Sequence, residues 1–175
     1  MGRLHHKKGV VPLVKAWKAS TLYGHAEYQL LIAGPDHGEL EKISALLGGH
    51  QQNNIHYIGP QYGEDKNDLL RKATFFILPS QSEGFPTSIL EAMQYGAIPI
   101  ITDGCNFPEL EKQPFSYTTT TQPKQITKTI DKLHRDNDDI QLKLFSQQNR
   151  DFAGEYYSIE HIAGLQYTNY EELLK

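Results

Sequence analysis

Two glutamates, Glu83 and Glu91, stand with seven residues between them in the stretch PSQSEGFPTSILEAMQYGA, Pro79 to Ala97. The intervening Gly84, Phe85, Pro86, Thr87 and Ser88 lie where an apolar run gives way to a helix-forming one. A helix N-terminus exposes unpaired N–H groups and a partial positive charge, which suits an anion such as phosphate. Gly84 permits close backbone approach, Thr87 and Ser88 add hydroxyl donors, and Pro86 withholds one N–H. Glu91 falls roughly a turn and a half into that helix, where its carboxylate can accept from two adjacent hydroxyls, as on a ribose. The same residues also read as a well-made turn, with Glu83 a capping acid and Glu91 a solvated helix residue. A second cluster opens the chain. Arg3 and Lys8, five positions apart, can clamp a diphosphate, with Gly9 turning the backbone and His5, His6 and Lys7 adding positive charge. The alternative for that cluster is an exposed basic tail.

Other reactive residues offer less. Cys105 has no basic partner in its surroundings and reads as a buried structural thiol. His5 and His6 are adjacent, and no carboxylate or cysteine completes a metal set with them. The remaining histidines (His25, His37, His50, His56, His134 and His161) are scattered. There is no GxxxxGK[ST] phosphate loop, no GxGxxG fingerprint and no nucleophile-elbow serine.

These groups must be held by regular elements. Helical spacing of Val10, Val11, Val14 and Trp17 predicts a helix from Gly9 to about Tyr23, with Pro12 in its first turn. Tyr28–Ala33 reads as a buried strand closed by Gly34-Pro35, and Asp36 as the cap of a helix ending near Gly48-Gly49. Ile55–Ile58 is a second strand, ended by Gly59-Pro60, and a helix follows from about Glu64 to Lys72. Thr74–Leu78 is a third strand that runs into the glutamate loop. The helix there spans about Pro86 to Tyr95 with Gly96 as its stop, and Ala97–Thr102 is a fourth strand whose Pro99 suggests a bulge or an edge. Alternating strands and helices with short loops predict an α/β fold: a Rossmann-like parallel sheet flanked by helices. Ligands in such sheets bind at the C-terminal strand ends, so Gly34, Gly59 and the Ser82–Phe85 loop should line one crevice. Beyond Asp103, Phe115–Thr118 reads as a short edge strand. Pro123 to about Phe152 reads as one or two helices with Ile126, Ile130 and Leu133 inward. A last helix carries Ile159, Ile162, Leu165, Tyr170 and Leu173.

At 175 residues the chain suits one domain, residues 1–175, with a substantial core. A net charge of −4 argues against a general nucleic-acid surface. No run has the length of a membrane span, and one cysteine excludes an internal disulfide. A reducing cytoplasm is the natural compartment. The opening GRLHHKKG reads as a loop that follows a strand, with none before it, as in one half of a longer protein.

The segments GRLHHKKG, LLIAG, NIHYIGP and PSQSEGFPTSILEAMQYGAIPIIT, in this order and spacing, resemble the C-terminal half of a retaining glycosyltransferase of family 4. DGCNFPEL and EYYSIEHIAGLQYTNYEELL resemble later segments of the same enzymes. Their architecture, GT-B, sets two Rossmann-like domains face to face. The resemblance implies one half of it here, the nucleotide-sugar-binding domain, with the N-terminal acceptor domain and the strand before Gly2 absent. It assigns Arg3 and Lys8 to the donor diphosphate, and Glu91 to the ribose hydroxyls. Glu83 with the amides of Gly84 and Phe85 would face the sugar and phosphate, and the backbone of Ile58, Gly59 and Pro60 would border the base. The partner implied is a UDP-, GDP- or ADP-sugar, with no metal and no other cofactor. The context implied is bacterial polysaccharide or lipopolysaccharide synthesis, in the cytoplasm or peripherally at the inner face of the membrane. Pro86 stands where many members have glycine. The isolated chain is expected to transfer little sugar. Competing readings are a non-catalytic nucleotide-binding module of the same fold, and a sugar-nucleotide epimerase or phosphorylase.

Overall fold

The computed structural model describes residues 2–48, 54–136 and 138–173. The expected helix stop at Gly49 and the histidine at His50 lie outside them, as does the side chain of Leu173. Helices α1 (Val10–Lys18), α2 (Leu40–Leu47), α3 (Gly63–Lys72) and α4 (Thr87–Gln94) alternate with strands β1 (Leu30–Ala33), β2 (Ile55–Gly59), β3 (Phe75–Leu78) and β4 (Ile98–Thr102). The short α5 (Pro108–Glu111) and strand β5 (Tyr117–Thr119) follow, then α6 (Pro123–Asp136), α7 (Asp139–Tyr157) and α8 (Ile159–Leu173). The fold is therefore α/β with parallel strands flanked by helices.

Hydrogen bonding divides the strands into two parallel ladders rather than one sheet. β1 pairs with β2, and β4 pairs with both β3 and β5. One core joins β1 and β2 to α1, α2 and α6, around Val14, Trp17, Ile32, Ile43, Ile55 and Ile126. A second joins β3 and β4 to α4, α5 and α7, around Ile89, Met93, Ile101, Phe107 and Ala153, and a small third one gathers Leu70, Ala92 and Ala97. Ile126, Ile130 and Leu133 of α6 are buried, as their spacing predicts.

Three expectations need correction. Helix α1 ends at Lys18, short of Tyr23. The Ser20 hydroxyl donates to the Trp17 carbonyl, and Asp131 of α6 accepts from both the amide and the hydroxyl of Thr21. Those bonds hold the chain in a turn that local propensity does not dictate. Second, β4 is the central strand of its ladder, fully buried and without a bulge at Pro99. Ile98 donates to Thr74 before β3, so by alternation the absent N–H of Pro99 faces the β5 side. Pairing with β5 begins only at Ile100, and no bond is lost. Third, α4 begins at Thr87, and Pro86 serves as its N-cap at φ −85° and ψ 71°. Pro86 lies just outside the helix, and its carbonyl accepts from Ile89.

Candidate functional site

Segment 2–9 crosses the C-terminal ends of the strands and is bonded to the loops there. Leu4 donates to the Pro35 carbonyl beyond β1 (2.8 Å) and Gln81, beyond β3, donates to the Lys7 carbonyl (2.7 Å). Gly9 is in the left-handed region at φ 69°, and a Cβ there would lie 2.1 Å from the Pro79 carbonyl oxygen. The backbone can therefore press against the β3 loop only with glycine at this position. The loop after β4 joins from the other side. Glu83 donates its backbone amide to the Gly104 carbonyl (2.8 Å) and the Asn106 side-chain Nδ2 donates to the Gly84 carbonyl (3.1 Å).

Lys8 and Glu83 meet at the centre of this junction. The Lys8 ammonium donates to both carboxylate oxygens, at 2.7 and 2.8 Å, with side-chain exposures of 26% and 12%. The buried Ser80 hydroxyl also donates to Glu83, and the Thr102 hydroxyl donates to the Ser80 carbonyl. Neither residue behaves as its plain alternative suggested: Lys8 is not a loose tail, and Glu83 caps no helix. An ammonium has three protons, and two of the Lys8 protons are engaged by Glu83. Arg3, in the same segment as Lys8, is exposed. Loss of solvation, then the charges of His6, Lys7 and Arg3, hold the His5 imidazole below the usual histidine range.

The anion-binding segment is partly occupied by its own backbone. Thr87 donates its amide to the Phe85 carbonyl (3.0 Å), which removes one of the expected donors. Among the described residues, the amides of Gly84, Phe85 and Ser88 have no backbone acceptor. Gly84 has open space where a Cβ would stand. The Phe85 ring is half exposed and lies against Phe107 and Tyr157, at centroid distances of 5.8 and 6.0 Å.

Glu91 lies further along α4, with its side chain 47% exposed. Lys66 of α3 approaches it at 3.2 Å. Helix α3 starts directly after the Gly59-Pro60 turn, where Gly59 accepts from the Gly34 amide (2.9 Å) and Ile58 from the Gln61 side chain (2.7 Å). The structure thus brings Gly34 and Gly59 together at one rim, and Lys8 and Glu83 together at the neighbouring one. Lys66, Ser80 and Asn106 escaped the sequence reading. Lys66 lies 25 positions before Glu91 on another helix, and no local pattern marks it. Cys105 is buried, and burial raises its thiol above the ordinary value. Among the described residues no group of three metal-ligating side chains converges.

Residues 1–152 match the family Glycosyl transferases group 1. The chain belongs to this family. A group 1 relative, the GDP-mannose:cellobiosyl-diphosphopolyprenol alpha-mannosyltransferase of Xanthomonas oryzae, is 28% identical over 144 residues, covering 78% of this chain and 37% of the relative. The C-terminal domain of a glycosyl transferase group 1 family protein from Francisella tularensis superposes with a TM-score of 0.78 at 22% identity, over 91% of this chain and 84% of that one. HepE of Anabaena, in complex with UDP and glucose, gives 0.78 at 16% identity, over 98% of this chain and 47% of that one. Identities this low establish the fold alone, the Rossmann-like domain of GT-B glycosyltransferases. The group 1 chain described here spans less than half the length of its Xanthomonas and Anabaena counterparts. No helix among its described residues is long and apolar enough to cross a membrane.

Proposed function

We propose that this chain is the donor-binding half of a retaining glycosyltransferase, and that its cleft takes a nucleotide-sugar at the C-terminal strand ends. The observation that carries the reading is the Lys8–Glu83 pair beside the unengaged amides of Gly84, Phe85 and Ser88. Glu83 fixes the ammonium and leaves its third proton for a diphosphate oxygen. Arg3 and the start of α4 add positive potential to the same place. Together they neutralise the charge that develops on a departing nucleoside diphosphate, with no metal in the scheme. Glu91 accepts from the ribose hydroxyls once these displace Lys66, and Ile58, Gly59 and Pro60 border the base. Pro86 supplies no amide, so Gly84 and Phe85 carry the backbone contacts to phosphate and sugar. Glu83 reaches the sugar from the other side of Lys8.

The acceptor is held by an N-terminal domain facing this one. By analogy with the Xanthomonas relative, whose name specifies GDP-mannose and a diphosphopolyprenol-linked acceptor, the acceptor is a lipid-linked glycan of surface polysaccharide synthesis. The reaction then takes place in the cytoplasm, at the inner face of the membrane.

Calorimetric titration with UDP, GDP and ADP tests the reading. One nucleotide should bind, with affinity reduced about tenfold or more in Lys8→Ala. Failure of all three to bind at millimolar concentration, or equal binding by Lys8→Ala, overturns the donor site. The chain alone should transfer little sugar, and robust transfer would contradict the assignment of half a cleft.

A further inference from the structure

The loop after β4 holds the glutamate loop by its backbone. The Gly104 carbonyl accepts from the Glu83 amide (2.8 Å), and a Cβ on Gly104 would lie 2.5 and 2.6 Å from the carbonyl oxygens of Gln81 and Ser80. The Asn106 side chain then donates from Nδ2 to the Gly84 carbonyl (3.1 Å). Among the described residues Asn106 is the only one besides glycine at positive φ, with φ 52° and ψ 52°. Its own amide donates to the Asp103 carbonyl (3.1 Å) and closes the short 3-10 turn Asp103–Cys105. A left-handed backbone is tolerated by glycine, asparagine and aspartate. Of these, asparagine alone has a side-chain N–H to donate. The position therefore asks for both properties of Asn106, its backbone tolerance and its donor.

The consequence reaches the neighbouring residue. Among the described residues no peptide bond is cis. In a trans peptide the C=O of one residue and the N–H of the next point in opposite directions. A Gly84 carbonyl pinned on Asn106 thus pins the Phe85 N–H on the far side, where it has no backbone acceptor. Nothing in Gly84 itself fixes this peptide. It has no side chain, the space beside it is open, and glycine is the most permissive residue of the backbone. The peptide that follows offers no substitute: the Phe85 carbonyl accepts from Thr87, and Pro86 has no N–H.

We propose that Asn106 is a positioning residue: its hydrogen bond to Gly84 sets the Phe85 N–H as a ready-made donor to a phosphate oxygen of the nucleotide-sugar. The inference rests on the donor-binding reading and deepens it. Lys8 draws the diphosphate by charge, and Asn106 fixes one of the amides that meets it. A donor oriented before the ligand arrives loses little freedom on binding.

The test follows the backbone amides of Gly84, Phe85 and Ser88 by NMR while the labelled full chain is titrated with UDP, GDP and ADP. With the nucleotide that binds, the Phe85 amide proton should move downfield. Asn106→Gly keeps the left-handed backbone and removes the side-chain donor. Asn106→Asp keeps the backbone and the shape, and puts an acceptor where the donor was. Both variants should stay within about 3 °C of the parent Tm and bind nucleotide about threefold or more weakly. At saturation, where affinity no longer matters, both should lose the Phe85 shift while the Ser88 shift remains. A Phe85 shift of parental size in either variant overturns the inference and leaves the donor site standing. A parent chain in which Ser88 moves and Phe85 does not has the same meaning. A larger fall in Tm in both variants gives Asn106 a purely structural role and also overturns it. If millimolar nucleotide moves none of these amides, the donor-binding reading is overturned, and the role of Asn106 falls with it.

Discussion

The two glutamates of the site are built differently. Glu83 is nearly buried and receives protons from Lys8, twice, and from Ser80, while its own amide is held by Gly104. Glu91 is half exposed and has one lysine at 3.2 Å. A carboxylate tied into three loops before any ligand arrives is a framework member whose removal leaves an ammonium short of partners. A carboxylate with one weak, solvated partner can exchange it at little cost. Glu83 therefore ties three loops together, and Glu91 keeps the loose tether that its proposed contact with ribose requires.

Replacing Glu83 with alanine should have the largest effect. It should lower stability by about 2 kcal/mol, a fall in Tm of roughly 6 °C, and weaken nucleotide binding at the same time. Adding Lys8→Met should restore part of the lost Tm but none of the affinity, because the stranded charge is gone while the diphosphate contact stays missing. Melting curves that leave Glu83→Ala at the parent Tm would erase the contrast. Glu91→Ala should leave Tm within about 2 °C and lower nucleotide affinity roughly tenfold or more. With a 2′-deoxynucleotide that loss should shrink, since the hydroxyl and the carboxylate act as one contact.

Asp36 adds a carboxylate given wholly to the backbone. Its oxygen accepts from the amides of Gly38, Glu39 and Leu40 at the start of α2, and these bonds, that from Leu40 first, hold its carboxyl below the usual range. A carboxyl lowered in the folded state adds stability above its unfolded pKa and loses it as pH falls through the folded value. Asp36→Asn should therefore flatten the acid limb of the Tm–pH curve while leaving nucleotide affinity unchanged. The smallest effect is expected at Cys105. Burial first, with the charge of Glu83 as a lesser cause, raises its thiol. Disulfide reagents at pH 8 should leave it unmodified until the chain unfolds, and fast labelling of the native protein would show an open cleft floor.

The sequence made local features legible. Asp36 accepts from the amides that open α2 within four positions of itself, although Glu39 is the N-cap, Gly96 stops α4 at φ 85°, and the apolar stripe of α6 is buried as its spacing requires. What escaped was set across distance. The end of α1 depends on Asp131, 110 positions away from Thr21. The lysine at Glu91 comes from another helix. The central place of β4 depends on which side Pro99 turns its missing donor, and β5 had to be in place to show it. Lys8 and Glu83 were each identified as charged site candidates. Their direct pairing, 75 positions apart, belongs to the junction of three loops.

Pro99 also works as an alignment key. β5 meets β4 from Ile100 to Thr102. Were β5 to slide so that it covered Pro99, one of its carbonyls would find a ring in place of a proton, inside a fully buried strand. No other residue of β4 would reject that misalignment, because every other one has a donor to offer. The proline thus makes the outermost strand self-indexing against β4.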